Sequence, residues 1–246
     1  SICKNQMIEK VLIIGSGFMG TSIAQASDLT EISCVENNQE HIAELQKKNL
    51  YKSIYQSLDE VQDRFDLVII CTRQDKVLHF INEVSKQEIG TYITDIASSK
   101  NFLKEALLPD NFISSHPICG SHKTGPTESE KKLFADKEVI LIKDKTDKFV
   151  NDLKNFWESL GSNVSFMNLE EHNKNYAYLS HFPHFFSFIY EEILQEENID
   201  YEKYSGDSLK EILRLSKADK NLWAEIFEDN KTNLEDLKEK IRKKLL

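Results

Sequence analysis

Three glycines, two pairs of histidines and one arginine carry most of the chemical promise of this 246-residue sequence. Gly15, Gly17 and Gly20 stand as GxGxxG in VLIIGSGFMG (residues 11–20), directly after an apolar run. Behind a strand, that spacing permits a tight turn at Gly15, backbone approach to a pyrophosphate at Gly17 and close helix packing at Gly20. A helix opening near Phe18 offers unpaired N–H groups and its positive end to phosphates. Gly15, Ser16, Gly17, Phe18, Met19 and Gly20 are therefore the candidate cofactor loop. Glu36 follows sixteen residues after Gly20. A carboxylate there accepts hydrogen bonds from ribose hydroxyls and repels a 2′-phosphate, so NAD is the cofactor expected. Thr72, closing another apolar run, joins this group. The plainer alternative is a glycine turn with an incidental surface glutamate.

The second cluster is SSHPICGSHKTGP (residues 114–126), which follows a strand-like run and contains His116, His122 and Lys123. Open α/β sheets place their chemistry on loops at the carboxyl ends of strands. An imidazole titrates near neutrality and suits a proton acceptor. Taken alone, His116 reads as a strand-end histidine satisfied by backbone. Further on, LSHFPHF (residues 179–185) sets His181 and His184 three residues apart, on one helix face. This HxxH lacks the glutamate of an HExxH zinc motif, and no metal site is expected. Pro183 between them should kink the helix or mark an irregular turn.

The elements that must position these groups fall into two sets. Short β-rich runs alternate with helical patterns at 10–14, 32–36, 67–72, 92–95, 112–116, 138–142 and 163–167, as a parallel sheet requires. Runs such as LVIIC suit strands buried on both faces. Helices are expected over 39–50 and 149–160, the second stopped by Gly161. After Met167 only helical patterns remain. Leu234, Leu237, Ile241 and Leu245 form an apolar stripe on the last of them. The expected architecture is α/β: an N-terminal Rossmann domain over 1–167 and an all-helical domain over 168–246, for substrate binding and dimerisation.

Composition narrows the function. With 31 basic against 41 acidic residues the formal charge is −10, which argues against sequence-independent nucleic-acid binding. No apolar run approaches the roughly 18 residues that span a membrane. Cys3, Cys34, Cys71 and Cys119 are scattered singly, as reduced thiols filling a core would be. Residues 1–7 show neither a signal-peptide nor a transit pattern, so a cytoplasmic location is expected.

Together with DIASSK (residues 95–100) and LKEILRLSKADKNLW (residues 209–223), these motifs resemble, in order and spacing, the prephenate and arogenate dehydrogenases of tyrosine biosynthesis. The resemblance runs from about residue 9 to residue 223. It implies hydride transfer from the substrate ring to NAD, coupled to loss of the ring carboxylate as CO2. It makes His116 the catalytic proton acceptor and Ser98 its hydrogen-bonding companion. It assigns substrate binding to Arg214, His181, His122, Lys123, Trp223 and Glu211, with Glu211 able to reach the partner subunit's site in a homodimer. It leaves His184 open between a structural and a binding role. A guanidinium holds carboxylates bidentately, and prephenate has two.

The sequence also departs from the family pattern. Lys210 replaces a usual arginine, His122 a usual glutamate, and Arg73 a usual proline. Without an acidic residue at 122 to attract arogenate's ammonium, prephenate is the substrate expected. The alternatives are arogenate dehydrogenase, a β-hydroxyacid dehydrogenase or imine reductase of similar architecture, and a non-catalytic NAD-sensing module. The reductases need a lysine or aspartate on the inter-domain helix, where Lys174 is the lysine present.

Overall fold

The computed structural model describes residues 8–143 and 148–246. Residues 1–7, with Cys3, lie outside the described residues. The chain divides into two compact units, Ser1–Ser98 with Glu105–Asn168, and Ser99–Lys104 with Leu169–Leu246.

In unit 1, strands β1 (Lys10–Ile14), β2 (Glu31–Val35), β3 (Ile54–Tyr55), β4 (Phe65–Ile70) and β5 (Gly90–Asp95) form a parallel sheet in the order β3-β2-β1-β4-β5. Val11, Leu12 and Ile13 of β1 and Leu67, Val68, Ile69 and Ile70 of β4 are fully buried, as runs covered on both faces must be. The connecting helices are α1 (Phe18–Ala26), α2 (Gln39–Lys48) and α3 (Val77–Lys86). Asn38 starts α2 by accepting from the N–H groups of Glu40 (2.9 Å) and His41 (3.1 Å). Asn49 ends it in the left-handed region at φ 51°. β2 and β4 stop at Val35 and Ile70, so Glu36 and Thr72 lie just beyond the carboxyl ends of their strands.

A second sheet continues the unit through β6 (Ser114–Pro117), β7 (Glu138–Ile142) and β8 (Asn163–Met167), with α4 (Lys148–Ser159) between the last two. It corrects the expectation of an all-parallel sheet. β7 and β8 are parallel, but β6 and β7 are antiparallel. A parallel return is usually carried by a crossover helix. The segment between β6 and β7 contains no α-helix, only short turns, and β7 runs back along β6. One parallel bridge, Ile93 with Phe112, joins the two sheets. Gly161 closes α4 at φ +94°, where a Cβ would meet the Ala135 Cα at 3.2 Å.

Unit 2 is helical. It comprises α5 (Leu169–Tyr176), a π-helical turn Ala177–His181, α6 (Phe182–Glu196), α7 (Tyr201–Tyr204), α8 (Asp207–Leu213), a 3-10 turn Arg214–Lys217, α9 (Lys220–Asp229) and α10 (Lys231–Leu245). Pro183 sits in the first turn of α6. Its missing N–H cannot continue the α-helical ladder, and the widened turn falls just before it. Leu234 and Leu237 of α10 are buried, whereas Leu245 is exposed, so half of the C-terminal stripe is consumed inside the unit. The exposed apolar face lies instead on α6, at Phe186, Ile189 and Ile193. Among the described residues no helix is long and apolar enough to cross a membrane.

The core of unit 1 centres on Trp157, which packs against Phe134 and Phe156 at ring distances of 5.7 and 5.6 Å. Its indole Nε1 donates to Ser115 Oγ at 3.1 Å. Trp157→Phe removes that donor and part of a fully buried ring, and should cost about 1–3 kcal/mol in urea unfolding. A loss under about 0.5 kcal/mol, the scale of a surface change, would show that this packing is not specific.

Candidate active site

The glycine loop is shaped by close approach. Gly15 turns at φ +88°, and a Cβ there would meet the Cys71 carbonyl at 3.2 Å and Thr72 Cγ2 at 3.3 Å. A Cβ on Gly20 would lie 2.3 Å from the Gly15 carbonyl oxygen and 2.9 Å from Ile13 Cγ2, so any side chain would push α1 off β1. At Gly17 nothing lies within 4 Å. That backbone faces open space at the start of α1, whose first N–H groups no side chain caps. An anion with phosphate geometry fits there.

Glu36 secures this loop. Its Oε2 accepts from the Ser16 N–H at 2.9 Å and its Oε1 from the Asn38 N–H at 2.9 Å, with His41 Nδ1 3.5 Å from Oε2. A carboxylate has about four acceptor positions, so Glu36 keeps capacity for ribose hydroxyls. The side chains of Ser16 and Phe18 are buried. Ser16, fully enclosed, can therefore meet a nucleotide only through its backbone. Ser16 Oγ instead shares hydrogen bonds with Thr21 Oγ1 (2.9 Å) and Tyr51 OH (2.5 Å). Met19 is half-buried against the core, and the Thr72 hydroxyl donates to the Arg73 carbonyl at 3.1 Å. Tyr51 escaped the sequence reading, because a lone tyrosine in a loop carries no spacing signal. Burial pushes its phenol well up, which keeps it a neutral hydrogen-bonding group.

Beyond β5 and along β6 lie the two residues expected to do the chemistry. Ser98 is half-buried and His116 buried. Around them the polar groups are paired. Asp95 Oδ2 accepts from the Ala97 N–H at 3.0 Å, and Asp95 Oδ1 accepts from the Ser114 hydroxyl. Thr94 Oγ1 and Ser115 Oγ are 2.7 Å apart. Asp95 opens the DIASSK motif, yet nothing in the sequence pointed to its partner nineteen residues on.

The loop after β6 is more exposed. His122 faces solvent, while Lys123 Nζ pairs with Glu130 and so brings less free positive charge than the sequence suggested. Ser22 of α1 holds this loop by accepting from the Glu130 N–H at 2.9 Å. Burial pushes the Cys119 thiol up to about 12 and raises Cys34 and Cys71 as well, so none of the three is a thiolate nucleophile near neutral pH.

Unit 2 brings together a different set. His181 is fully buried. Asn230 Nδ2 lies 2.8 Å from the Asn173 carbonyl and 3.0 Å from His181 Nδ1, while Asn230 Oδ1 accepts from Asn233 at 2.9 Å. The amide thus donates to Nδ1, and neutral His181 carries its proton on Nε2. His184 stacks flat on Trp223, with centroids 3.6 Å apart and an interplanar angle of 10°. Its pKa is lowered by burial, with a smaller contribution from the charge of Arg214. Arg214, Lys210 and Glu211 are exposed. Asn230 also escaped the sequence reading, which had no signal for it.

His172 is fully buried, its Nδ1 3.1 Å from Asn173 Oδ1. Burial, reinforced by the charge of Lys100, drops its pKa to about 3 from an ordinary 6.5. Between those values the unfolded chain binds a proton that the folded chain refuses, so stability falls as pH drops through the unfolded value. His172→Gln should flatten the loss of stability between about pH 7 and about pH 5. An unchanged slope would remove His172 as its source. In the glycine loop, Gly20→Ala should destabilise unit 1 by about 1–3 kcal/mol. Gly17→Ala should leave the melting temperature near native while weakening nucleotide binding, measured by titration calorimetry. Equal effects of the two substitutions would contradict the geometry.

Comparison with known proteins places both units in one family. Residues 19–166 match the family model for the prephenate dehydrogenase nucleotide-binding domain, and residues 168–246 match that for the prephenate dehydrogenase dimerization domain. The chain is 27% identical to a prephenate dehydrogenase of Bacillus subtilis (strain 168), over 94% of this chain and 67% of the relative. It is 24% identical to one of Lactococcus lactis subsp. cremoris, over 91% of this chain and 65% of the relative. It thus spans about two thirds of the length of these curated relatives. A solved prephenate dehydrogenase from A. aeolicus, in complex with hydroxyphenyl propionate and NAD+, is 29% identical and superposes at a TM-score of 0.88. That match covers 98% of this chain and 90% of the other. With both of its units matched by the two family models, the chain belongs to the prephenate dehydrogenase family.

Proposed function

We propose that this chain is an NAD-dependent dehydrogenase that oxidatively decarboxylates prephenate to 4-hydroxyphenylpyruvate. The observation that carries this reading is that unit 1 holds both an open glycine loop anchored by Glu36 and, at the segments that bear Ser98 and His116, a buried hydrogen-bonded junction. NAD, when bound, supplies the hydride acceptor, and the Gly15–Gly20 backbone with Glu36 would hold it. His116 takes the proton of the ring hydroxyl, and Ser98 hydrogen-bonds the same hydroxyl or the imidazole. Departure of the ring carboxylate as CO2 restores aromaticity, which drives the step.

Arg214 binds substrate carboxylate, with Trp223, His122 and Lys123 as further contacts in this reading, whereas His181, expected from the sequence to bind substrate, is fully buried and bonded to Asn230. The exposure of Arg214 in the single chain leaves its guanidinium accessible. One observation favours a second reading, arogenate. Glu130 neutralises Lys123, so the loop carrying His122 has less positive potential to repel an ammonium. Prephenate remains the first reading because His122 itself provides no anion. The reaction is assigned to the cytoplasm, and the net charge of −10 offers nucleic acid no general attraction.

Assembly follows from the helical unit. Phe186, Ile189 and Ile193 recur on α6 at helical spacing and are 45%, 36% and 46% exposed. A second copy covering this face makes a homodimer, in which exposed Glu211 reaches the partner's site.

NADH absorbance with NAD or NADP, and with prephenate or arogenate, tests the activity directly. His116→Asn should lower kcat by roughly a hundredfold or more with little change in NAD affinity, the scale of losing a positioned base. Near-native turnover in that variant would remove the mechanism. Ile193→Glu should convert the dimer to a folded monomer in light scattering. A wild-type monomer, or a variant that stays dimeric, would overturn the α6 interface.

A further inference from the structure

The backbone ladder between β5 and the segment entering β6 stops early. Ile93 bridges Phe112, with the Ile93 N–H donating to the Asn111 carbonyl (2.9 Å) and the Ile113 N–H to the Ile93 carbonyl (3.1 Å). Past this point β6 takes β7 as its ladder partner. Ser98 and His116 both lie beyond the bridge, where backbone pairing no longer fixes one segment against the other.

Side chains take over that task. Thr94 and Ser115 join on one face, supported by Trp157. On the other face Asp95, which is fully buried, accepts from the Ala97 N–H through Oδ2 and from the Ser114 hydroxyl through Oδ1. Alternation along a strand puts Ser114 and His116 on the same side. One carboxylate therefore touches the N–H of the residue before Ser98 and the side chain two residues before His116.

We infer that Asp95 is a positioning residue, setting Ser98 and His116 in a common frame through its two bonds. The inference rests on the reading that those two residues act together on substrate. It assigns Asp95 no contact with substrate or cofactor. A bond donated to a carboxylate in a buried site is stronger and more directional than a neutral one, so it suits a junction that must hold one geometry.

The test uses the full chain with Ser114→Ala, Ser114→Thr, Asp95→Asn and Asp95→Ala. Ser114→Ala removes one donor and a single oxygen atom. It should lower kcat on the order of tenfold to a hundredfold, the scale of a small misplacement of reacting groups. The KM for substrate and the NAD dissociation constant by calorimetry should stay near native, and the melting temperature should fall by only a few degrees, leaving the variant fully folded at the assay temperature. Ser114→Thr restores the hydroxyl and should recover most of kcat. Asp95→Asn, which keeps an acceptor for the Ala97 N–H, should lose less kcat than Asp95→Ala.

Hydrogen exchange at the Ala97 and Ser98 amides gives a readout independent of turnover. Protection should fall in Asp95→Ala and persist in Asp95→Asn. If the wild-type chain reduces no NAD with either substrate, the dehydrogenase reading fails and the exchange result alone judges Asp95. Native kcat in Ser114→Ala, loss of kcat in proportion to melting temperature or NAD affinity, or unchanged exchange in Asp95→Ala would each overturn the inference.

Discussion

The place where the parallel ladder ends governs the edge of unit 1 that carries Ser98 and His116. A sheet whose strands all pair through backbone leaves little freedom at its edge. Here β5 and the approach to β6 share one bridge, and β6 then turns to an antiparallel partner. The polar side chains buried at that divergence must satisfy one another, because an unmet donor or acceptor in the interior costs more than a made bond returns. Thr94, Asp95, Ser114, Ser115 and Trp157 meet this requirement from both faces. A neutral bond contributes only about 0.5–1.5 kcal/mol net. The larger consequence is specificity, because separating these partners would leave buried polar groups unpaired.

The glycine loop was legible because its glycines answer steric demands that other residues cannot meet. Gly20 has a carbonyl 2.3 Å from where a side chain would begin. β1 and β7 were also legible, as compact apolar runs with polar or glycine flanks. Sheet direction was not, because it depends on which strand becomes the neighbour and not on the residues of the strand itself. The two-residue β3 was equally silent, since Ile54 and Tyr55 are too few to show alternation. Side-chain direction was the other blind spot. Ser16 belongs to the cofactor motif by position, but its hydroxyl is spent on Thr21 and Tyr51. Lys123 counts as a cation in the sequence and as half of an ion pair in the structure.

Unit 2 shows how a short stretch can belong by energetics to a unit other than that of its sequence neighbours. Ser99–Lys104 clusters with the helices, although residues on either side belong to unit 1. Asp229 explains the attachment. It accepts from Ser99 Oγ at 2.6 Å and from the Asn101 N–H at 3.0 Å. Burial raises the Asp229 pKa, and these donors, with the charge of Lys100, pull it back. Lys100 is itself fully buried, and a buried cation demands compensation. Its field in turn disfavours protonation of His172. The segment is thus tied down by charge and hydrogen bonds, which a hydrophobic pattern does not reveal.

The same accounting separates the two histidines that the sequence set on one face. The π-helical turn ends at His181 and α6 begins at Phe182, so the pair is not related by regular helical geometry. His181 is sealed in the interior, where Asn230 occupies Nδ1 and fixes the tautomer. His184 lies against Trp223, and its Nδ1 is 2.9 Å from the Ser180 carbonyl. A carbonyl only accepts, so Nδ1 carries the proton and Nε2 of the neutral ring is left with a lone pair. Burial lowers the pKa of His184, which favours that neutral form. A lone pair repels a carboxylate oxygen. On this part of unit 2 the histidine is therefore a flat, uncharged ring stacked on Trp223, and the fixed positive charge that acts on it is the guanidinium of Arg214.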